Sequence, residues 1–244
     1  MTKGLRYTLI GTATFIVCLV LFAPTTPISS ALRGIPGVFV GQPSGSLWRG
    51  AVDVAYHGNS LGRLSWSYRP QELLRLRIGF GYSLKDATHS FVGVGSASAR
   101  SANATISGQM SAALLTDLLA RYDISISGDF DIPEAIDLVA PHGGMPRATG
   151  KIRWSGGTVD YRLGTTSRRA TLPQLIAYLG SPATGPSATV YAQGDDTPLL
   201  LASVQHDGWV SIGVTVRFLE LVGQPWTGSQ PPHAVIMEVQ EKLF

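Results

Sequence analysis

The most constraining feature of this sequence is an uncharged, apolar segment close to its N-terminus. Residues 7–23 contain no charged side chain. These 17 residues would form roughly 25 Å of helix, the short end of a bilayer span. Lys3 and Arg6 precede the segment, and Asp53 is the first acidic residue, so we expect a cytoplasmic N-terminus and an exported chain body. The predicted anchor residues are Leu9, Ile10, Phe15, Ile16, Val17, Leu19, Val20, Leu21 and Phe22.

A cleaved signal peptide is the alternative interpretation, because its basic start and apolar region would look the same. Cleavage requires small residues at the third and first positions before the cut, and Ser29 with Ala31 is the nearest such pair. This pair lies beyond Pro24 and Pro27, farther from the apolar segment than is usual for a signal peptide. We therefore favour an uncleaved anchor and leave cleavage open.

Composition indicates what the exported part can be. We divide the chain into a cytoplasmic start and anchor (1–24), a linker (25–36) and a periplasmic β-rich domain (37–244). Charged residues make up only 14% of the chain and glycines number 28, which favours antiparallel sheet with tight turns over disorder. The net charge of +3 is small and the basic residues are scattered, so a nucleic-acid partner is not expected. The only cysteine, Cys18, lies in the anchor, so we expect no disulfide in the domain.

Alternating apolar and polar residues predict strands with one buried and one wet face. The stretches that share this pattern are residues 76–84, 122–132, 148–154 and 159–163. A Ser-Gly-Gly turn at residues 155–157 predicts a hairpin between the last two. Loops are predicted at residues 37–45, 181–187 and 223–232, and a last strand at residues 234–239.

Short helical patches separate the alternating stretches. The patches are residues 70–76, which begin with Pro70, residues 111–122, which Ser111 can cap, and residues 172–179 and 216–222. The predicted fold is mainly β: a long curved antiparallel sheet, or an open sandwich, with a few short helices and one N-terminal transmembrane helix.

A search for catalytic chemistry finds little. The histidines show no metal-ligand spacing, and neither a phosphate-binding loop nor a nucleophile elbow is present. These histidines are His57, His89, His142, His206 and His233. Asp123, Asp129 and Asp131 form an acidic strip that could bind a cation or a partner, although a solvated face is the favoured interpretation. We assign no catalytic, cofactor-binding or metal-binding residue, expect no cofactor, and regard an enzyme as the least favoured class.

Four of the five tryptophans lie on or beside the predicted strands, where core packing is the simplest interpretation. Trp226 is the exception, because it lies in the Pro-rich segment 223–232 between Pro225 and Pro231. An exposed tryptophan in a loop is a plausible contact for a protein partner or a membrane surface. Trp226, Pro225 and Pro231, together with the predicted strand that follows this segment, are therefore the candidate partner contact.

Several motifs occur in a specific order after the membrane segment. They are GSLWRG at residues 45–50, LGRLSWSYRPQELL at 61–74, SISGDFDIP at 125–133 and GKIRW at 150–154. Together with the basic start and the single apolar segment, they resemble protein N of the type II secretion system. The sharpest parts are the Trp-x-Gly element at residues 48–50 and the Trp, Pro and Leu-Leu spacing at residues 66–74.

The resemblance implies a single-pass protein of the Gram-negative inner membrane with a periplasmic β-rich domain. The family is an accessory component of the machine that moves folded proteins from the periplasm to the exterior, so the implied partners are other secretion components. No catalytic residue is carried over from it. A weaker likeness to grooved periplasmic β-proteins leaves a carrier of an apolar ligand, such as a lipid, as the alternative.

Overall fold

The computed structural model describes residues 25–119, 123–163, 166–182, 185–224 and 226–242. The predicted anchor residues 9–22 and Pro225 lie outside these ranges. Within them, every helix is too short or too polar to cross a bilayer. The segment predicted as a linker contains a short helix, α1 (Thr26–Arg33), whose Leu32 packs on the core.

The described part of the chain is built mainly of strands. In the N-terminal half they are β1 (Val38–Val40), β2 (Ser44–Gly45), β3 (Arg49–Tyr56), β4 (Asn59–Tyr68), β5 (Ile78–Lys85), β6 (His89–Ala97), β7 (Ser101–Ser111) and β8 (Ile124–Ile126). They continue as β9 (Asp129–Pro141), β10 (Arg147–Trp154), β11 (Gly157–Leu163), β12 (Thr166–Leu172), β13 (Leu175–Gly180), β14 (Ser187–Ala192), β15 (Pro198–Val204), β16 (Trp209–Thr215) and β17 (Val235–Lys242). The helical segments after α1 are a 3-10 helix (Pro70–Arg75), α2 (Ala112–Leu119) and α3 (Val216–Leu221).

The strands form a 14-stranded sheet and a 3-stranded sheet. Along the large sheet the order is β1-β3-β4-β5-β6-β7-β9-β10-β13-β14-β15-β16-β17, with β2 paired to β3. Every paired set of strands is antiparallel. The small sheet, ordered β12-β11-β8, collects the strands that leave the large sheet after β7 and after β10. The prediction of a large antiparallel sheet with a few short helices is confirmed.

The prediction of one strand over residues 122–132 is wrong, because this stretch is divided between the two sheets. β8 belongs to the small sheet and β9 to the large one. Gly128 lies between them with φ +96°, a conformation that side chains disfavour. The Trp154 indole closes over this turn, since its Nε1 donates to the Ser127 carbonyl at 3.0 Å. The alternation therefore continues in sequence while the backbone turns into another sheet.

The prediction of a hairpin at residues 155–157, between β10 and β11, is also wrong. β10 pairs with β9 on one side and with β13 on the other, so neither of its edges is free for β11. β11 instead pairs with β8 and β12. The turn carries the chain from one sheet to the other, with Gly156 at φ +83°.

The helix predicted at residues 172–179 is a strand in the structure. β12 ends at Leu172, and β13 begins at Leu175 beside Trp154. A short apolar run fits both the helical and the strand period, and here pairing with β10 on one side and β14 on the other selects the strand. The predicted loop at residues 37–45 likewise contains β1 and β2.

The other three helical patches are confirmed as the 3-10 helix, α2 and α3. The Ser111 hydroxyl accepts a hydrogen bond from the Ala113 N–H at 3.4 Å at the start of α2, as the sequence predicted. The last strand is confirmed as β17.

Strand register places apolar residues on one face of the large sheet. One row of cross-strand neighbours contains Val52, Leu64, Leu84, Phe91, Gly108 and Ile132. It is continued on later strands by Ile152, Ala177, Val190, Leu200, Val214 and Met237. From β3 to β10 the adjacent row on the opposite face is polar: Asp53, Arg63, Lys85, Ser90, Gln109, Asp131 and Arg153. We call the first of these the apolar face.

Burial is concentrated on this apolar face. Val52, Val54 and Trp66 form the core cluster, and Leu32 of α1 and Phe80 of β5 pack against it. The Trp66 indole N–H points to the carbonyls of Ser46 and Leu47 at 3.3 and 3.1 Å. α1 and strands β3 to β5 are therefore joined in one packed unit.

Replacing Trp154 with Phe removes the hydrogen bond to Ser127 while keeping an aromatic ring stacked on Phe130. We expect the free energy of unfolding to fall by about 1–2 kcal/mol, and by about 3–5 kcal/mol for Trp154→Ala. Chemical denaturation of the full chain measures both. Trp209→Phe is the matched control, because Trp209 is exposed, and its cost should stay below about 0.5 kcal/mol. Equal costs at the two tryptophans would contradict this packing.

Gly128 and Gly143 both have positive φ, but a side-chain carbon at Gly128 would collide with Gly156, whereas space around Gly143 is open. Gly143→Ala should cost about 1 kcal/mol of unfolding free energy from backbone strain alone. Gly128→Ala should cost at least about twice as much, because the turn between the sheets must also move. Thermal or urea denaturation checks the order, and equal costs would show that the turn adjusts freely.

Candidate functional site

The predicted partner contact lies at the C-terminal edge of the large sheet. The segment 223–232 joins α3 to β17, and β17 ends the strand order. β17 pairs with β16 alone among the described strands, so its outer edge presents unpaired backbone groups. Such an edge can accept a strand from another chain.

α3 holds the start of this region through a buried threonine. The Thr215 side chain is 0% exposed, and its hydroxyl lies 2.8 and 3.0 Å from the carbonyl oxygens of Pro198 and Leu199. The same oxygen accepts a hydrogen bond from the Phe218 N–H at 3.3 Å, which caps the helix. The helix therefore begins at a fixed point on the β15–β16 pair.

Both ends of the segment are tied to α3. The Arg217 and Val216 N–H groups donate to the carbonyls of Pro232 and Ala234, at 2.9 and 3.0 Å. At the other end, Gln224 N–H donates to the Leu219 carbonyl at 2.8 Å. Gln224 Nε2 also donates to the Tyr161 hydroxyl of β11 at 3.1 Å, which links the segment to the small sheet.

Trp226 and Pro231 lie together in this anchored loop. The Trp226 side chain is 40% exposed, and its Nε1 donates to the Gln230 side-chain oxygen at 2.6 Å. The Pro231 carbonyl accepts a hydrogen bond from the Ala234 N–H at 2.9 Å just before β17. Pro225, the third predicted contact residue, lies outside the described residues. The exposed tryptophan is thus held by the loop rather than by the core.

β17, the strand that follows the loop and belongs to the predicted contact, presents an apolar stripe. Val235, Met237 and Val239 alternate along one face and are each about half exposed. On the other face, the Ser211 hydroxyl and then the Gln240 amide hydrogen-bond the Glu238 carboxylate and hold its pKa below the usual value. The signal was present in the sequence as alternation, but only the sheet order shows that the strand lies at an edge.

A cavity of about 380 Å³ lies behind this edge, between the small sheet, α3 and the last strands. Its walls are mostly apolar, with Tyr161, Arg162 and Gln224 as polar members. The apolar lining includes Ile124, Val159, Leu172, Val214, Phe218 and Met237. Since Val214 and Met237 belong to the apolar face, the small sheet covers that face at its C-terminal end.

The acidic strip is not brought together as one site. Asp131 makes two hydrogen bonds with Arg153, at 2.9 and 2.7 Å, whereas Asp123 lies before β8 and pairs with Arg162 at 3.4 Å. Among the described residues, no cluster of three or more His, Cys, Asp or Glu side chains could hold a metal ion.

His89 is buried, which the sequence did not predict, because the lack of metal-ligand spacing is common to all five histidines. Its side chain is almost fully buried at the start of β6, with Nε2 donating to the Leu61 carbonyl at 2.8 Å. The Thr88 hydroxyl lies 3.2 Å from the other ring nitrogen. His89 thus ties β6 to β4 within the fold.

The burial of the tryptophans agrees only in part with the prediction. Trp66 and Trp154 are buried, and Trp48 packs edge-on against Tyr68 with ring centroids 4.7 Å apart. The prediction of core packing is wrong for Trp209, which is 36% exposed at the start of β16. It occupies the end of the strand, where the neighbouring Lys242 offers no apolar cover.

Hydrogen bonds and ion pairs shift the pKa values of two surface carboxylates, and burial shifts that of one tyrosine. Arg169 lowers the pKa of Asp160, while the Thr197 N–H, followed by Arg217, lowers that of Asp195. Burial raises the pKa of Tyr82, whose hydroxyl donates to the Thr105 carbonyl at 2.7 Å. These contacts stabilise ionised surface carboxylates and a protonated tyrosine, which suits a structural role.

Comparison with known proteins gives one match. A sequence model of protein N of the type II secretion system (T2SS) matches residues 36–220, which is more than half of the chain. No curated protein and no solved structure matches significantly. The matched range ends within α3, so the loop and β17 follow it. The chain therefore belongs to the type II secretion system protein N family, as its motifs indicated.

Proposed function

We propose that this protein is an accessory, non-enzymatic subunit of the type II secretion system, supporting export of folded proteins from the periplasm across the outer membrane. The family match over residues 36–220 carries the proposal. The basic start and the uncharged segment 7–23 support a single-pass placement in the Gram-negative inner membrane. The N-terminus is then cytoplasmic, and the β-rich domain lies in the periplasm.

A binding role is supported by how the polar groups are used. In the described ranges, every buried side-chain nitrogen or oxygen has a hydrogen-bond partner within the protein. His89 and Thr215 are examples, since both join neighbouring strands. Polar groups that serve the fold in this way leave recognition to edges and exposed side chains.

The surface that we assign to a protein partner combines Trp226, Pro231 and the outer edge of β17. Trp226 offers an exposed aromatic ring, and the β17 backbone offers unpaired donors and acceptors. Val235, Met237 and Val239 provide alternate apolar contacts of the kind that specify an added strand. We call these features the C-terminal edge, and its proposed partner is an extended segment of another secretion component.

A carrier of an apolar ligand is the second candidate, and the apolar cavity of about 380 Å³ favours it. A cavity of this size lies within the range of small-molecule sites. The cavity adjoins the apolar face. The chain enters the small sheet after β7 and after β10, near the middle of the strand order, yet the small sheet covers Val214 and Met237 on the last strands. We therefore infer that the apolar face is concave. An acyl chain is the ligand that such walls would accept.

Val235→Lys combined with Val239→Lys should weaken co-purification of the full chain with other secretion components by at least about tenfold, because the charges block an added strand and neither residue lines the cavity. Val92→Lys is the matched control, since Val92 is an exposed valine in the interior of the large sheet. Its co-purification should be unchanged, and thermal melts should show all variants folded. Deleting residues 223–244 should abolish association, and unchanged association would exclude the C-terminal edge.

Mass spectrometry of gently detergent-extracted full chain tests the second candidate. A carrier should retain about one lipid per chain, and Ala170→Phe should lower this severalfold by filling the cavity that Ala170 lines. Ala97→Phe adds the same ring at an exposed position outside the cavity and should leave the lipid content unchanged. Absence of stoichiometric lipid from the unsubstituted protein would exclude the carrier.

A further inference from the structure

A second exposed apolar surface lies far from the C-terminal edge, at the connection between β4 and β5. Leu73, Leu74, Leu76 and Ile78 are all exposed, and Leu74 and Leu76 each reach 89%. Arg75 and Arg77 stand between them in the sequence. We call residues 73–78 the leucine–arginine patch. Large aliphatic side chains concentrated in this way mark a contact surface rather than ordinary surface variation.

The backbone holds this patch in a fixed shape. The Arg69 N–H donates to the Gly79 carbonyl at 2.8 Å, which closes the connection. The Leu76 and Arg77 N–H groups donate to the carbonyls of Leu73 and Glu72, at 2.9 and 3.0 Å. The Glu72 side chain lies against Gly79 and so seats the 3-10 helix on β5. The exposure of the leucines therefore belongs to an ordered platform.

Leu76 is an unexpected residue at its position. It ends the 3-10 helix in the left-handed region, with φ +55°. Of the described residues with positive φ, 14 are glycines, and the others are His57, Leu76 and Asp123. A glycine at position 76 would relieve the backbone and would also remove an exposed apolar side chain. Folding gains nothing from leucine here, which points to a role in contact.

The charges of the patch are available to a partner. In the described part of the chain, none of Arg69, Arg75 and Arg77 forms an ion pair. Glu72 is the only acidic residue from position 69 to position 78, and the aliphatic carbons of its side chain pack against Gly79. Unpaired arginines beside exposed leucines match the chemistry of an anionic lipid surface, where the aliphatic groups insert and the guanidinium groups meet phosphates.

The tether supports a bilayer as the occupant. Only Pro24 and Thr25 separate the apolar segment 7–23 from α1, which begins at Thr26. Leu32 of α1 and Phe80 of β5 both pack against the core cluster, which includes Trp66 of β4. β4 and β5 are also the strands that the leucine–arginine patch connects. A bilayer that holds the N-terminal segment therefore lies only a few residues along the chain from this packed unit.

We infer that the leucine–arginine patch docks on the anionic surface of the membrane that holds the N-terminal segment. This second contact fixes the orientation of the domain on the bilayer, and it does not depend on a role in secretion.

Lipid quenching of a site-specific fluorophore tests this docking. The full chain carrying Cys18→Ser is reconstituted into vesicles with an environment-sensitive label at Leu74→Cys or, as a control, at Val239→Cys. Val239 is also an exposed aliphatic residue, but it lies on β17, at the other end of the strand order from β4 and β5. The vesicles contain phosphatidylcholine with or without phosphatidylglycerol, and a brominated acyl chain serves as the quencher.

We expect severalfold stronger quenching at position 74 than at position 239 in vesicles with phosphatidylglycerol. Arg75→Glu with Arg77→Glu should reduce the signal at position 74 to the control level, with no change in melting temperature. Equal quenching at the two positions, or equal quenching with and without phosphatidylglycerol, would overturn the inference. Label burial that is insensitive to the quencher would also overturn it, by indicating a protein contact. Failure of both labelled chains to float with the vesicles would contradict the membrane anchor as well.

Discussion

The large sheet depends on the separation of apolar and polar side chains onto opposite faces. The row through Val52, Leu64 and Leu84 is apolar, whereas the adjacent row through Asp53, Arg63 and Lys85 is polar. A shift of one residue in the pairing of these strands would exchange the two faces, so burial specifies the register from β3 to β10. The core cluster, the small sheet and the cavity behind the C-terminal edge all lie against the apolar face.

An open sheet of this kind leaves two end strands, and the protein treats them differently. β1 has three residues and is followed closely by β2, and α1 packs next to it. β17 has eight residues, an apolar stripe and an exposed tryptophan in the preceding loop. Short or covered edges resist unwanted pairing, while a long and accessible edge accepts it. This asymmetry supports the proposed recognition by strand addition at the C-terminal end of the sheet.

The N-terminal end of the sheet presents a different kind of surface. There α1, the core cluster and the leucine–arginine patch are attached to the same strands, β3 to β5. The proposed partner at this end is a bilayer, and the proposed partner at the other end is a protein. A domain with these two surfaces at opposite ends of one sheet can present a fixed strand edge at a set orientation to the membrane.

Local patterns in the sequence were sufficient for the fold class, for three short helices and for the last strand, because period-two alternation and helix-start residues act over a few neighbours. The family followed from motifs such as residues 66–74. The failures at residues 122–132, 155–157 and 172–179 share another cause. In each, the partner strand lies in a distant part of the chain, and only pairing decides where a strand ends or which sheet receives it.

The candidate sites likewise depend partly on local sequence and partly on contacts between distant strands. The exposed position of Trp226 could be predicted from its Pro-rich loop, whereas the burial of His89 and the exposure of Trp209 depend on neighbours supplied by other strands. The stripe on β17 and the leucine–arginine patch are ordinary apolar stretches in the sequence. By itself, the sequence determined a mainly antiparallel protein of this family with an apolar N-terminal segment. Only the tertiary structure decided which apolar residues remain uncovered, because exposure depends on the order of strands in the sheet.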